Sequence, residues 1–533
     1  MIRRRGLLKA GGAGAALAAT GLAMPNLARA ADANVLRFIP QANLANLDPI
    51  WTTLYVVRNA SLLFFDTLYG VDHTLTPHPQ MAEGHDVSDD GLIYSVKLRP
   101  GLKWHDGEPV LSRDCVASLQ RWMVRDTMGQ MIKARLAEMS APDDRTILIR
   151  LSHPFPKLIY ALGKIGTPIA FMMPERIATT DPFKPIAEYV GSGPFMFRND
   201  QWVPGAQAVF ERFPAYIPRS EPADWMAGGK SASFDRIEWK IISDAATAAA
   251  AMQSGEVDWW ETASTDLAPV LTADGSLRLD IADPLGNIGD LRMNHLYPPF
   301  NDQRVRQAVL IATNQADYMQ AVAGTDPKLW RESASFLTPG LPDYSDAGGE
   351  NLKRHDIAAA RKLVEEAGQK GAKVVLVIGT DVPIVKAQGD VTADMLRKIG
   401  LDVDYVATDW GTVGARRAQK KPPAEGGWNA FHTWHAGVDC ANPGANPAFF
   451  ANGDKAWFGW PSSEKVQATI DAWFAAPNEA AEKAASVDFN RASMEFVTFV
   501  PTGFFKGYQC WNKRLSGVQA APFPIVWGVE KKA

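Results

Sequence analysis

The chain reads as an α/β protein built of more than one domain. Three observations predict this: its 533 residues, strands and helices intermixed throughout the sequence after about residue 31, and a strand–helix–strand rhythm with short connections up to residue 406. At roughly 100 to 200 residues per domain, the length allows two or three domains, each with a substantial core.

The first thirty residues, MIRRRGLLKAGGAGAALAATGLAMPNLARA, stand apart from that pattern. A basic head, an apolar stretch too short and too rich in Gly and Ala for a membrane span, and the small-residue ending Ala28-Arg29-Ala30 predict an export signal cleaved near Ala30. Arg4-Arg5 followed by Gly6-Leu7-Leu8-Lys9 resembles the twin-arginine signal, which carries folded clients to the periplasm. The Gly12-Ala13-Gly14 run lacks the preceding strand that a dinucleotide-binding turn requires.

In the remainder, LIYSVKLRP alternates with Tyr94, Val96 and Leu98 on one face, the pattern of a half-buried strand. Ser112 is placed to cap a helix that buries Cys115, Leu119 and Trp122 along one stripe. FDRIEWKII predicts another alternating strand. It is followed by an Asp244 cap, the helix AATAAAAMQS and Gly255 as terminator. Val305, Ala308, Val309 and Ala312 recur at helical spacing. Asp356 caps DIAAARKLVEEAG and Gly368 closes it; KVVLVIG is a short buried strand, a helix runs to Ile399-Gly400, and LDVDYV is the next strand. Such short connections imply parallel pairing and a right-handed crossover.

Composition excludes several functions. A formal net charge of -4 without a basic run argues against a nucleic-acid partner. Three cysteines, Cys115, Cys440 and Cys510, are too few for a disulfide framework and lack zinc-site spacing. His105 and Asp106 adjoin at a strand end, where successive side chains diverge, and Asp-Gly favours a hairpin turn; a catalytic pair is not expected. Gly229-Lys230-Ser231 lacks the glycine and the strand of a phosphate loop and is expected on the surface. Neither HExxH nor GxSxG occurs. His432 and His435 sit on what reads as a strand running into a loop, where residues three apart face opposite sides rather than one metal ion. Of the seventeen tryptophans, Trp51, Trp410, Trp428 and Trp434 fall near strand ends or loops beside Gly and Asn, a composition that suits a ligand cleft as well as a core.

Five blocks in order resemble one family. They are YSVKLRPGLKWHDGEPVLSRDCVASLQR, GSGPF at 191–195, SGEVDWW at 254–260, MNHLYPPFNDQRVRQAVLIAT at 293–313, and DIAAARKLVEEAG followed by RKIGLDV. The chain resembles the periplasmic solute-binding proteins of the dipeptide, oligopeptide and nickel class, receptors of ABC importers. The resemblance implies a two-lobed periplasmic-binding-protein fold with an extra domain on lobe one and a hinge of two crossing segments. Lobe one would be 31–285 plus 505–533, including an extra α/β subdomain at about 55–185; lobe two would be 286–504. It implies no catalytic residue and no cofactor, a small-molecule or peptide-like ligand, an inner-membrane ABC permease as partner, and a monomer. A nickel, metallophore or other metal-complex cargo on the same fold is the alternative.

The resemblance also points to the ligand contacts. ANLDPIWTTLYVVRNA is similar to the family's first cleft segment and offers Trp51, Thr52 and Tyr55. The opposite lobe offers Trp410, Trp434, His435, Asp439 and Asn442. In peptide-binding members an aspartate of an Asp-Pro pair holds the ligand ammonium. Asn442-Pro443 stands there in this chain, and a neutral amide gives up the charge-assisted bond; Asp439, three residues earlier, could substitute. Cys440 and Cys510 could pair after export, though a twin-arginine client folds in a reducing compartment.

Overall fold

The computed structural model describes residues 34–532; the export signal expected at residues 1–30 lies outside them. Two large sheets dominate. The first has seven strands in the order Phe195–Phe197, Gln207–Arg212, Arg236–Lys240, Val35–Ile39, Trp259–Ala263, Tyr508–Asn512, Leu277–Ile281. Val35–Ile39 lies at its centre, parallel to both neighbours. The second has six strands in the order Trp330–Arg331, Val500–Phe505, Asn287–Met293, Ala430–Ala436, Lys373–Gly379, Asp402–Thr408.

The chain passes from the first sheet to the second between Ile281 and Asn287, and back between Phe505 and Tyr508. Both large sheets are therefore closed by strands from distant parts of the sequence, as a two-lobed protein with a double crossing requires. A separate four-stranded antiparallel sheet, in the order Ala82–Val87, Ile93–Leu98, Thr146–Leu151, Leu136–Asp143, packs with the helix Ser112–Arg125.

Local chemistry accounts for most elements. Tyr94, Val96 and Leu98 are buried on one face of their strand. Asp244, Asp302 and Asp356 each cap a helix by accepting from a first-turn backbone N–H, and Gly255 ends the helix Ala245–Ser254 in the left-handed region. Lys373–Gly379 and Asp402–Thr408 pair in parallel around the helix Pro383–Lys398. Gly191 of GSGPF is fixed by packing, because a Cβ there would lie 1.9 Å from the carbonyl oxygen of Phe64.

Two expectations are corrected. Ser112 is not the cap of its helix: its hydroxyl donates to the Asp143 carbonyl. The cap comes from Asp114, whose carboxylate accepts from Leu111 N at 2.9 Å. Lys230 is not on a surface loop; it is fully buried, 2.8 Å from Asp66, and the pair neutralises two charges that could not be buried singly.

The middle of GLKWHDGEPV is a turn. Gly107 N donates to the Trp104 carbonyl, and Trp104 N to that of Glu108. His105 is part of the scaffold: its Nε2 lies 3.0 Å from the Gly193 carbonyl, and its Nδ1 accepts from Gly191 N at 3.2 Å. Asp106 turns away to Arg176 at 2.7 Å. The three cysteines are free and buried, so Cys440 and Cys510 do not pair.

Candidate ligand-binding site

Between the lobes lies a cleft with three adjoining cavities, and Gln41 and Trp434 line all of them. The first is narrow, with a cavity volume of about 30 Å³. Its walls come from both lobes. Thr53, Leu54 and Tyr55 lead into the helix Tyr55–Phe64 of the first. Trp410 and Arg417 begin and end a helix of the second, capped by Asp409. Thr433, Trp434 and His435 lie on the strand Ala430–Ala436, all of whose residues are buried.

That strand runs into the 3-10 turn Gly437–Cys440, which delivers Asp439 to the cavity. The turn presses on the crossing segment: Gly437 N donates to the Gly286 carbonyl at 2.6 Å. A Cβ on Gly437 would stand 2.3 Å from the Leu285 carbonyl oxygen, so only glycine permits this approach.

Aromatic rings form the apolar wall. Trp410 and Trp434 stack with centroids 5.7 Å apart, and Tyr55 sits 6.0 Å from Trp434. The Arg417 guanidinium lies 5.8 Å from the ring of Trp410, 5.1 Å from that of Trp457 and 4.8 Å from that of Phe458. It donates to Thr53 Oγ1 across the cleft at 3.1 Å, and its Nε has no partner. No carboxylate lies within ion-pair distance of it among the described residues. Burial pulls its pKa down to about 9, opposed by the more distant Asp290. It stays charged at neutral pH, a buried cation without a counter-ion.

Opposite it in charge is Asp439. Burial raises its pKa; Arg58 and the Tyr55 hydroxyl work the other way. The Tyr55 hydroxyl donates to Asp439 Oδ2 and accepts from Ala436 N at 2.8 Å, so one phenol bridges the lobes. Asp439 Oδ1 is buried without a partner.

Of the residues expected from the sequence, Tyr55, Trp410, Trp434, His435 and Asp439 line this cavity together. Trp51, Thr52 and Asn442 do not. The Trp51 carbonyl accepts from Arg125 at 3.0 Å, Thr52 Oγ1 accepts from Leu54 N at 3.4 Å, and Asn442 joins Tyr160 at 3.2 Å while its Oδ1 accepts from Gly444 N. Thr53, Arg417, Thr433 and Trp457 were missed. The Arg416-Arg417 doublet at a helix end was the one signal, and it reads equally as a pair of cations favoured by the helix dipole.

His432 and His435 belong to different environments. His432 is held by Thr392 Oγ1 at 2.7 Å and pushed down to about 3 by burial, while His435 faces Asp290 at 2.8 Å. Among the described residues no three His, Cys, Asp or Glu side chains are grouped to hold a metal ion.

Comparison with known proteins agrees with this geometry. Residues 76–447 match the family model described as bacterial extracellular solute-binding proteins, family 5 Middle. A probable peptide ABC transporter periplasmic-binding protein of Sinorhizobium fredii, y4tO, is 35% identical over 533 residues, covering 99% of each chain. Two solved structures share the fold: AgaA with agropinic acid from A. tumefaciens R10, at TM-score 0.78 and 20% identity over 94% of this chain and 99% of that one, and Helicobacter pylori DppA with the peptide STSA, at 0.78 and 19% over 94% and 98%. With these matches spanning both lobes and the cleft between them, the chain belongs to the bacterial extracellular solute-binding proteins of family 5.

Proposed function

We propose that this protein is a periplasmic receptor that closes its two lobes on a small zwitterionic solute, a short peptide or an amino-acid conjugate, and presents the closed form to an inner-membrane ABC importer. One observation carries the reading. Arg417, a buried cation with no carboxylate partner, and Asp439, a buried carboxylate with a free oxygen, line the same cavity. A ligand carboxylate would satisfy the first and a ligand ammonium the second, each by a charge-assisted hydrogen bond stronger than a neutral one. Asp439 would thereby take the role that Asn442 cannot fill. Trp410, Trp434 and Trp457 supply flat apolar surface for whatever lies between the two charges.

The names of the relatives support a peptide or a related conjugate. The moving bodies are 31–285 with 505–533 and 286–504, hinged near the two crossings. Residues 1–30 act as a twin-arginine-type export signal removed near Ala30, and the mature receptor is a monomer without catalytic activity. In such a device the ligand need only favour the closed state, and differential contact with the two lobes does so.

Isothermal titration against dipeptides, free amino acids and sugar–amino-acid conjugates tests the reading, with native mass spectrometry of protein taken from its own periplasm. Saturable binding by members carrying both an ammonium and a carboxylate is expected, together with a smaller radius of gyration in solution scattering. Absence of binding by every member, with no co-purified ligand, would overturn it.

A further inference from the structure

The third cavity of the cleft, which shares Tyr55 with the first but not Arg417, is lined by two more carboxylates, the buried Asp283 and the half-buried Glu261. Asp283 belongs to the first crossing between the sheets and is only 7% exposed. Asp283 lines the cavity; its Oδ1 accepts from Leu285 N at 2.9 Å, whereas its Oδ2 is buried and has no partner. Glu261 extends from the strand Trp259–Ala263 and accepts from Gln41 N at 2.8 Å and Asn59 Nδ2 at 2.7 Å. The cavity's own cation, Arg58, forms no ion pair with either. It is tied elsewhere: Nε to Asn59 at 3.1 Å, Nη2 to the Pro522 carbonyl at 2.8 Å, its guanidinium 4.3 Å from the Tyr55 ring centroid. Its Nη1 is left for an acceptor on a ligand.

We propose that this cavity is a second, cation-binding subsite, in which Asp283 and Glu261 receive the ammonium or guanidinium end of a basic side chain on the solute. The proposal rests on the reading of the cleft as the ligand site and narrows the solute class to one with two cationic groups. Charge counting favours a cation over a neutral group. Glu261, Asp283 and Asp439 all feel Arg58 as a stabilising charge; Asp439 is also stabilised by Lys164 and His435, whereas Glu261 has Arg58 alone and Asp283 only a weaker contribution from Lys506 besides. Burial raises both Glu261 and Asp283 to about 7, a cost that an incoming cation offsets and a neutral ligand does not. Asp439 is occupied by Tyr55 and, under the proposed reading, by the ligand's α-ammonium, which leaves Asp283 Oδ2 to the second cation.

The test is a paired titration at pH 7 with Gly-Lys against Gly-norleucine and Lys-Gly against norleucine-Gly. All four present the ammonium and carboxylate that Asp439 and Arg417 require, and only the lysine peptides carry a second cation. A lysine peptide is expected to bind at least about tenfold tighter than its norleucine counterpart, the size of one charge-assisted hydrogen bond. Repeating the titration in two buffers of different ionisation enthalpy should show more protons released on binding a lysine peptide than its norleucine counterpart, as Asp283 and Glu261 ionise. Asp283→Asn, which keeps the acceptor for Leu285 N, and Glu261→Gln should each shrink the discrimination without weakening norleucine peptides. Equal affinities and equal proton release in the wild-type protein overturn the subsite and leave the receptor reading standing. Failure of all four peptides to bind overturns the zwitterion reading and the subsite with it. Should a variant fail to fold, the wild-type comparison alone decides.

Discussion

Arg417 shows what the sequence could and could not reveal about the site. Tyr55, Trp434 and Asp439 were legible because a resemblance supplied their neighbourhood. Arg417 was not, since an arginine at a helix end is ordinarily a solvated charge, and only tertiary packing of four rings around it removes the water. Its isolation costs stability in the unliganded protein, because a buried charge without a counter-ion forfeits hydration without Coulombic return. Arg417→Met should therefore raise the melting temperature of the ligand-free receptor while weakening a carboxylate-bearing ligand by roughly 10- to 100-fold, the loss of about 1.5 to 3 kcal/mol. Calorimetric melting and titration of the same variant check both halves. A lower melting temperature with unchanged affinity would make Arg417 a structural residue.

The hairpin–helix unit of residues 101–125 carries two further expectations. Asp114 holds three elements at once: its Oδ2 accepts from Leu111 N and from Trp104 Nε1 at 3.1 Å, and its Oδ1 accepts from Glu175 N at 2.9 Å. Periodicity located the helix, but the choice between Ser112 and Asp114 as its cap turned on the Asp143 carbonyl, a contact made 31 residues away. Asp114→Ala should cost about 2 to 3 kcal/mol in chemical denaturation, more than an ordinary cap, because it leaves buried donors unpaired. His105 gives the unit a pH response. Burial holds its pKa near 4, below the usual histidine value, so between pH 6.5 and 4 the unfolded chain binds the extra proton. The neutral form's contribution to stability is then complete above pH 6.5 and lost as pH falls through 4, at some fraction of the roughly 1.4 kcal/mol per pH unit that one proton allows. His105→Gln should flatten that slope in urea titrations run across the window, with ligand affinity at pH 7 unchanged.

At the scale of the molecule, the α/β rhythm between 356 and 408 was readable because each strand and helix is local in sequence, whereas the closing strands of both sheets, Tyr508–Asn512 and Val500–Phe505, pair with partners more than 170 residues away. Periodicity cannot reveal such pairings. The same long-range folding sets the lobes against each other at points outside the ligand cavities. Lys157, just before the helix Leu158–Gly163, lies 2.7 Å from Glu482 on the helix Glu479–Phe496 and 4.0 Å from the ring centroid of Trp473, and the nearby rings of Phe155 and Phe474 pack with centroids 5.8 Å apart. In the proposed two-lobed closure, this contact needs no ligand and would favour the closed form before one arrives. A part-buried ion pair of this kind is worth about 1 kcal/mol, a shift of roughly fivefold in the ratio of closed to open forms. Where the closed form is the minority, apparent affinity scales with its population. Lys157→Ala should thus enlarge the radius of gyration of the ligand-free protein in solution scattering and weaken ligand binding by up to about fivefold, although Lys157 lines none of the cavities in the cleft. Because the loss arises from opening, the scattering of the saturated variant should match that of the saturated wild type. Weaker binding with an unchanged ligand-free radius would instead mean that the contact acts on the bound state alone.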